Sequence, residues 1–308
     1  MCVKWFSTFR FENGVLHRII RPVEFPKITL VGVGLLGGSV GLAVKQRGMA
    51  GQVTGYVRRV ESVEECLATG AVDEATQDLE AAVTGASLVI LCTPVGGMVE
   101  LVEQLKPHLS VDTVITDVGS VKASVVHALE PVLPRFVGSH PMCGSEKAGV
   151  AHARGDLFEG AACAITPTNQ TDPTAVETVS NFWNALGSNV ISLTAEDHDA
   201  IVARTSHLPH VLVTALVNAV IGQPREGEAE FLGTGFRDTT RLASGSPNLW
   251  CDIALTNAEA IADSIDGVQN ELQKLQAALH ARDAAQLEAF FAKGQTLRDD
   301  WLKGLEKD

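Results

Sequence analysis

A short polar segment centred on His140 carries the side chains best suited to chemistry in this sequence. Residues 139–147 read SHPMCGSEK and follow a predicted strand at 136–138. An imidazole exchanges protons near neutral pH, so His140 is a candidate acid or base. Loops that leave strand ends carry the chemistry of doubly wound folds. We therefore predict that this segment is an active-site loop.

A second polar cluster interrupts the most apolar part of the chain. Residues 206–210 read SHLPH within a stretch that begins at 195 and is apolar nearly all round, which predicts a long buried helix. Ser206 and His210 are four residues apart and share a helix face. Buried polar groups are costly without partners, so we predict that both face a ligand. A satisfied core histidine is the alternative.

Two further polar residues each have two interpretations. Arg241, in GTGFRDTTR at 233–241, is a candidate for binding an anion, because a guanidinium can hold a carboxylate through two parallel hydrogen bonds. A surface ion pair with Asp238 accounts for it equally well. Ser120, in DVGSVK at 117–122, either caps the helix that follows or faces the reaction centre.

The elements upstream are those that would bring a dinucleotide to His140. An apolar strand at 27–31 runs into GVGLLGGS at 32–39, followed by a predicted helix at 36–47 and a strand at 52–57. This is a GxGxxG fingerprint in its strand–helix–strand setting, where glycines let the backbone approach a pyrophosphate at a helix N-terminus. The predicted cofactor-binding residues of this turn are Gly32, Gly34, Leu35, Leu36 and Gly37.

The end of the second strand bears on the type of cofactor. NAD sites usually carry Asp or Glu there, whereas this chain has Arg58 and Arg59 and no carboxylate before Glu61. The arginines suit a 2′-phosphate, so NAD or NADP is predicted with a tilt towards NADP. A solvated arginine pair beside backbone-bound NAD is the alternative. Thr93 and Pro94 end the apolar strand at 86–92, where the chain would pass the cofactor.

The alternation of elements predicts an α/β fold, with an N-terminal Rossmann-type doubly wound sheet followed by an all-helical dimerisation domain. The predicted boundaries are an extension at 1–26, the dinucleotide-binding domain at 27–193 and the helical domain at 194–308. A heptad-like apolar seam lies in the helical part and fits a dimer contact or a core face; we expect dimer burial. It consists of Ile261, Ile265, Val268, Leu272, Leu275 and Leu279.

Composition excludes several other classes of protein. A net charge of −13 argues against a nucleic-acid partner. Six cysteines without a CxxC pair indicate neither a disulfide framework nor a metal site. The uninterrupted apolar runs are too short to span a bilayer. The basic start lacks the apolar stretch of a secretory signal, so a cytoplasmic protein is expected, with organelle targeting as the alternative.

Taken together, these motifs resemble one family, the prephenate/arogenate dehydrogenases of tyrosine biosynthesis. The matching segments, in order, are GVGLLGGS, CTPV, DVGSVK, SHPMCGSEKAG, SHLPH and GFRDTTR, and the resemblance extends over roughly residues 28–280. The resemblance implies a nucleotide-binding domain, a helical domain that forms a homodimer, and an active site in the cleft between them. The implied reaction is oxidative decarboxylation of prephenate or arogenate, with hydride transfer to NAD(P)+.

The resemblance also implies roles for individual residues. His140 would accept the hydrogen bond of the substrate's 4-hydroxyl, and Ser120 would orient that hydroxyl or the imidazole. Arg241 would bind a substrate carboxylate. Ser206 and His210 would line the substrate, with Glu146 behind them. Two positions depart from the expected pattern, Cys143 in place of a smaller residue and Thr234 in a segment often richer in glycine.

Two other functions fit parts of the sequence. A hydroxyacid dehydrogenase with Lys122 or Lys147 as its base would share the two-domain plan, and a nucleotide-sensing protein would keep the fold without turnover. The His140 segment together with SHLPH argues against both. No motif distinguishes prephenate from arogenate.

Overall fold

The computed structural model describes residues 8–12, 15–19, 25–144 and 147–305. The chain divides into two compact units, Met1–Ala258 and Glu259–Asp308. This division lies further along the chain than the boundary expected after residue 193, which stays a prediction. The first described elements, β1 (Thr8–Glu12) and β2 (Val15–Ile19), pair antiparallel within the segment predicted as an extension at 1–26, for which no strands were predicted.

A six-stranded parallel sheet forms the centre of the first unit, in the order β5-β4-β3-β6-β7-β8. Its strands are β3 (Ile28–Val31), β4 (Val53–Tyr56), β5 (Glu74–Thr76), β6 (Leu88–Leu91), β7 (Val114–Asp117) and β8 (Phe136–Val137). The strand order changes direction between β3 and β6, which is where open α/β sheets form a ligand crevice at the carboxyl ends of the strands. This confirms the predicted Rossmann-type sheet.

Helices cover both faces of this sheet. They are α1 (Leu35–Gln46), α2 (Glu61–Ala68), α3 (Leu79–Val83), α4 (Met98–Leu105) and α5 (Ala123–Leu129). Successive residues of β3 point to opposite sides, so Leu30 packs in the core that contains Val40 of α1, while Val31 packs in the core that contains Val102 of α4. Burial on both faces explains why the strands are nearly continuous apolar runs.

A smaller sheet carries His140. Its strands, in the order β11-β10-β9, are β9 (Ser139–Pro141), β10 (Ala162–Ile165) and β11 (Asn189–Ser192), with α6 (Pro173–Ala185) between the last two. His140 therefore lies within a strand, opposite Ala164 of β10, and the prediction of a loop position was wrong. Backbone pairing on β10 holds His140 more firmly than a loop would.

The chain is helical after β11. The helices are α7 (Ala195–Val202), α8 (Leu208–Val220), α9 (Thr234–Thr240), α10 (Pro247–Thr256), α11 (Ala258–Ala281) and α12 (Ala284–Leu305). A π-helical turn, Ala203–His207, joins α7 to α8 without a break. The predicted burial of this long helix is wrong for α8, whose only buried residue is His210.

One helical stretch in the described part of the chain, Ala195–Val220, is long and apolar enough to cross a membrane by length and composition alone. A count of uninterrupted apolar residues did not anticipate this. Core helices of soluble proteins pass the same test.

The predicted heptad seam runs along α11. Ile261 is buried, but Leu272 and Leu279 are 55% and 54% exposed in the single chain. Exposed leucines at heptad spacing are typical of a surface that a partner covers. Dimer burial of this seam stays a prediction.

Candidate active site

A pocket of about 690 Å³ lies at the crevice between β3 and β6. All of its lining residues belong to the first compact unit. It brings together most of the predicted site residues, namely Gly34, Leu35, Leu36, Thr93, Pro94, Ser120, His140, Ser206, His210 and Arg241. Residues separated by more than 200 positions in the chain thus meet in one cavity. A site that binds both a dinucleotide and a substrate requires such an arrangement.

The glycine turn between β3 and α1 is shaped to receive a pyrophosphate. Gly32 has φ +98°, a left-handed conformation that favours glycine. A Cβ on Gly37 would lie 2.1 Å from the carbonyl oxygen of Gly32, so only glycine lets the helix start so close to the strand. Gly34 precedes α1, no side chain caps it, and a Cβ there would meet nothing within 4 Å. The helix N-terminus therefore opens into the pocket with free N–H groups.

Thr93 and Pro94 follow β6 on the opposite side of the crevice. The hydroxyl of Thr93 is buried and has no hydrogen-bond partner. A buried, unsatisfied hydroxyl is costly, and a bound polar ligand would satisfy it. The turn and this hydroxyl together fit a dinucleotide.

Arg58 and Arg59 lie outside the pocket lining. Both side chains are exposed after β4, and the Arg59 guanidinium donates to Ser62 Oγ at 3.2 Å. Gln77 donates to the Arg58 carbonyl at 2.8 Å, which fixes the backbone at this point. The pair stands at the end of β4, the second strand of the strand–helix–strand motif, where the adenosine ribose is bound in this fold.

His140 is the start of a chain of buried hydrogen bonds. Its Nδ1 lies 2.9 Å from Nε2 of His198, and Nδ1 of His198 lies 2.7 Å from Oδ1 of Asp199. The two carboxylate oxygens of Asp199 also accept the backbone N–H groups of Lys122 and Ala123, at 2.7 and 2.9 Å. Asp199 thus caps α5 as it holds His198.

A buried ion pair supports the strand that carries His140. Lys122 is completely buried, and its ammonium group contacts the carboxylate of Asp117 and donates to the Ser139 carbonyl at 2.9 Å. The indole of Trp183 donates to Ser139 Oγ at 3.0 Å. Because all these groups are satisfied within the protein, Lys122 is held away from any ligand.

Burial favours the neutral form of three histidines that line the pocket, His140, His207 and His210. Burial lowers the pKa of His140 well below its usual value, and His198, Lys122 and His207 add to that effect. Burial likewise lowers the pKa of His207 to about 4 and lowers the pKa of His210. A neutral imidazole can accept a hydrogen bond at ordinary pH, so His140 has the form that a proton acceptor requires.

The π-helical turn places three polar side chains on the pocket. Ser206 and His210 line it as predicted, and so does His207, which was not predicted. A π-turn widens the helix and shifts the angular position of its residues, so α-helical spacing did not indicate that His207 shares this face. Nδ1 of His207 lies 3.3 Å from the amide nitrogen of Asn257, while its buried Nε2 has no partner.

Helix α10 and the turn before it form the remaining wall. Arg241 and Trp250 line the pocket, and the Trp250 indole stacks on His210. Asp238, the predicted alternative partner of Arg241, pairs with Arg237 at 3.3 Å. Asp252 of α10 accepts the backbone N–H of Gly96 at 2.9 and 3.1 Å, which ties this wall to the loop after Pro94.

Ser120 faces the pocket and does not cap α5, whose N-terminus is bound by Asp199 instead. Glu146 lies outside the described residues. His198, Asp199 and Trp250 were not among the predicted site residues. No local pattern in the sequence relates His198 and Asp199 to His140, which lies 58 residues before His198.

Within the described ranges, no group of three or more His, Cys, Asp or Glu side chains is arranged to hold a metal ion. All five described cysteines are free. Burial raises the pKa of the Cys143 thiol, which lines the pocket, to about 12.

Both halves of the chain match known protein domains. Residues 40–192 match the nucleotide-binding domain of prephenate dehydrogenase, and residues 194–293 match its dimerization domain. The chain is 36% identical to a prephenate dehydrogenase of Bacillus subtilis over 88% of its length and 75% of the relative. It is 34% identical to a cyclohexadienyl dehydrogenase of Zymomonas mobilis over 89% of this chain and 95% of that protein.

Solved structures that resemble this chain come from the same kind of enzyme. Prephenate dehydrogenase from Aquifex aeolicus, in complex with hydroxyphenyl propionate and NAD+, matches with a TM-score of 0.82 at 33% identity. The match covers 92% of this chain and 98% of that one. Arogenate dehydrogenase of Synechocystis matches with a TM-score of 0.75 at 31% identity, over 89% and 99% of the two chains. This chain belongs to the prephenate dehydrogenase family.

Proposed function

We propose that this protein catalyses the oxidative decarboxylation of prephenate or arogenate, with hydride transfer to NAD(P)+. The observation that carries the proposal is that His140, Arg241 and the dinucleotide turn at Gly34 line one pocket. A proton acceptor, a carboxylate-binding group and a nicotinamide site are the three features that this reaction needs. The products are 4-hydroxyphenylpyruvate from prephenate and tyrosine from arogenate.

His140 acts on the substrate's 4-hydroxyl. With Nδ1 engaged by His198, Nε2 is the ring nitrogen left for a ligand. A hydrogen bond from the hydroxyl to Nε2 increases electron density at C4 and so assists loss of hydride. The bound nicotinamide ring accepts that hydride. Departure of the ring carboxylate as CO2 makes the ring aromatic, which drives the step.

The other pocket residues bind and orient the substrate. Arg241 binds a carboxylate, because a guanidinium forms paired, charge-assisted hydrogen bonds with that group. Ser120 orients the hydroxyl beside His140, while Ser206 and His210 contact the ring and its side chain. Positioning of this kind lowers the entropic part of the barrier. Glu146 is included in the proposal only through the family resemblance.

The pocket argues against the hydroxyacid alternative with Lys122 as the base. The Lys122 ammonium is fully buried against Asp117 and the Ser139 carbonyl, so it has no route to a substrate. Two alternatives remain, a hydroxyacid dehydrogenase with Lys147 as its base and a nucleotide-sensing protein. An assay with different substrates tests both.

The cofactor is proposed to be NADP in preference to NAD. Support comes from Arg58 and Arg59, which are exposed at the end of β4 with no carboxylate before Glu61. Replacing both arginines with alanine is expected to reduce kcat/KM for NADP+ by about 10-fold or more and to leave that for NAD+ within about 3-fold. Arg298→Ala, an exposed arginine of α12, is the control. Equal losses for both nucleotides, or no loss, would refute the preference.

A homodimer is also proposed. The match of residues 194–293 to a dimerization domain supports it, as do the exposed leucines of α11. A cytoplasmic location completes the proposal and rests on the sequence alone. Sedimentation of the purified protein tests the dimer, and a monomer at micromolar concentration would contradict it.

The reaction is tested by mixing purified protein with NAD+ or NADP+ and, in turn, prephenate, arogenate and a panel of 2-hydroxyacids. Absorbance of reduced nicotinamide should grow only with the two cyclohexadienols. Growth only with hydroxyacids supports the second enzyme class, and no growth supports a nucleotide sensor. His140→Asn should reduce kcat by roughly 10²–10⁴ and leave KM within about 3-fold. Near-normal turnover in that variant would remove His140 from its role.

A further inference from the structure

The buried pair behind His140 limits how the three side chains can share their protons. Asp199 accepts the backbone N–H groups of Lys122 and Ala123, and its Oδ1 also lies 2.7 Å from Nδ1 of His198. An ionised carboxylate has acceptors only, so with that form of Asp199 the donor is Nδ1 of His198. When Nδ1 carries the only ring proton of His198, its Nε2 is bare and can only accept. Nδ1 of His140, 2.9 Å away, is the donor in this arrangement.

We propose that His198 and Asp199 are positioning residues that hold His140 in the tautomer with its proton on Nδ1 and a bare Nε2 towards the pocket. The proposal rests on the function proposed above and deepens it. The opposite tautomer would present an N–H to the substrate and could not accept its hydroxyl proton. The chain of bonds thus selects the form of His140 that the reaction requires.

The geometry around the pair is rigid. His198 is 2% exposed and Asp199 6% exposed, and both lie on α7. Asn257, the residue that follows α10, donates its amide N–H to the backbone carbonyl of Asp199 at 3.0 Å and so helps to fix the position of α7. The rings of His140 and His198 meet edge to face, with centroids 5.1 Å apart, and both imidazoles are buried.

The arrangement also gives the proton a balanced path. As hydride leaves C4, the 4-hydroxyl proton passes to Nε2 of His140, and the Nδ1 proton of His140 moves to Nε2 of His198. The positive charge then lies on His198, in contact with the Asp199 carboxylate. After the C–CO2 bond breaks, its electron pair enters the ring, both protons return, and the product is a phenol. No proton is gained or lost overall.

Other charged groups near His140 do not replace this pair. Lys122 and Asp117 are bound to each other beneath β9. His207, on the π-helical turn, affects His140 electrostatically, but its nearest bonded partner is Asn257. Among the hydrogen bonds described for the His140 ring, the one to His198 is therefore the one that selects a tautomer.

Two substitutions of His198 separate this role from a purely structural one. In His198→Gln, the side-chain carbonyl oxygen takes the place of Nε2 and still accepts from His140. In His198→Phe, the ring volume is kept but the acceptor is lost. We expect kcat within about 10-fold of native for the first and lower by roughly 10²–10⁴ for the second, with KM within about 3-fold in both. His108→Phe, at a partly exposed position, is the matched control.

The tautomer is measured directly, without substrate, by ¹⁵N NMR of histidine-labelled protein, with His140 assigned from the His140→Asn difference spectrum. Native protein should show a protonated Nδ1 and a bare Nε2, and His198→Phe should lose that preference. A protonated Nε2 in native protein, or the same tautomer in His198→Phe, would overturn the proposal. Normal turnover by a folded His198→Phe would also overturn it.

If native protein turns over no cyclohexadienol, the NMR result still decides the tautomer. Failure of the proposed reaction and failure of the tautomer proposal are therefore distinguishable. If His198→Phe does not fold, native protein and His198→Gln, which should keep the native tautomer, decide it.

Discussion

The imidazole of His210 lies flat against the indole of Trp250, with ring centroids 3.5 Å apart and planes 10° apart. Gly245 makes this stack possible, because a Cβ at that position would lie 2.6 Å from Nε1 of Trp250 and 2.9 Å from Cε1 of His210. Both rings line the pocket, so their positions define its wall.

Gly245→Ala is accordingly expected to separate the two rings and reduce kcat/KM for the cyclohexadienol by about 10-fold or more, since a shift of about 1 Å in a positioning group can cost 10²-fold. Steady-state kinetics with saturating nucleotide measure the effect. Gly235→Ala is the control, because a Cβ there meets nothing within 4 Å. Unchanged kinetics in Gly245→Ala would show that the stack does not shape the substrate site.

Gly34 differs from Gly245 because an added methyl group there would clash with the cofactor and not with the protein. A Cβ at Gly34 meets no protein atom within 4 Å, so Gly34→Ala should leave the melting temperature within a few degrees of native. The added methyl group would stand at the N-terminus of α1, where the pyrophosphate approaches, so the KM for the dinucleotide should rise by 10-fold or more. Gly97→Ala, also with open space around it but outside the pocket lining, is the control. Unaltered nucleotide affinity would mean that the cofactor does not use this turn.

Arg241→Gln tests carboxylate binding. Loss of two charge-assisted hydrogen bonds, at about 1.5 kcal/mol each, should raise the KM for prephenate or arogenate about 100-fold. The KM for the nucleotide should change little, because Arg241 lies on the helical wall and not on the glycine turn. Arg225→Gln, an exposed arginine outside the pocket lining, is the comparison. A rise confined to the nucleotide KM would contradict the assignment.

The buried histidines make the stability of the fold depend on pH. Their pKa values are lowered in the folded chain, to about 4 for His207 and well below the usual value for His140, so the unfolded chain binds protons first as the pH falls below about 6.5. The free energy of unfolding should therefore decrease from pH 6.5 to 4.5 by up to about 1.4 kcal/mol per pH unit for each such histidine. Urea denaturation at a series of pH values measures this slope. His207→Gln should make it shallower, and an unaltered slope in that variant would contradict the prediction.

Much of the nucleotide half could be predicted from the sequence because its signals are local. The glycine turn at residues 32–37 lies between a strand and a helix, and each signal spans only a few residues. The position of His140 could not be predicted as well. A three-residue strand such as β9 exists only because β10, more than 20 residues later, pairs with it. Short strands have weak local patterns, and tertiary pairing decides them.

The helical half was harder to interpret for a similar reason. Its apolar residues predicted burial of α8, yet α8 keeps most of its side chains at least partly exposed. Periodicity shows which face is apolar but not what covers it. The π-turn at 203–207 has no sequence signal of its own, so His207 was missed although it stands between Ser206 and His210. His198 was missed because its partners come from β9 and from its own neighbour Asp199.

The most direct test of the proposed reaction is its stoichiometry. Native protein is incubated with NADP+ or NAD+ and with prephenate or arogenate labelled with ¹⁴C in the ring carboxylate, and released ¹⁴CO2 and reduced nicotinamide are measured together. Oxidative decarboxylation predicts one CO2 for each reduced nicotinamide from the first turnover onwards. Reduced nicotinamide formed without labelled CO2, or neither product with either substrate, would contradict the proposed function.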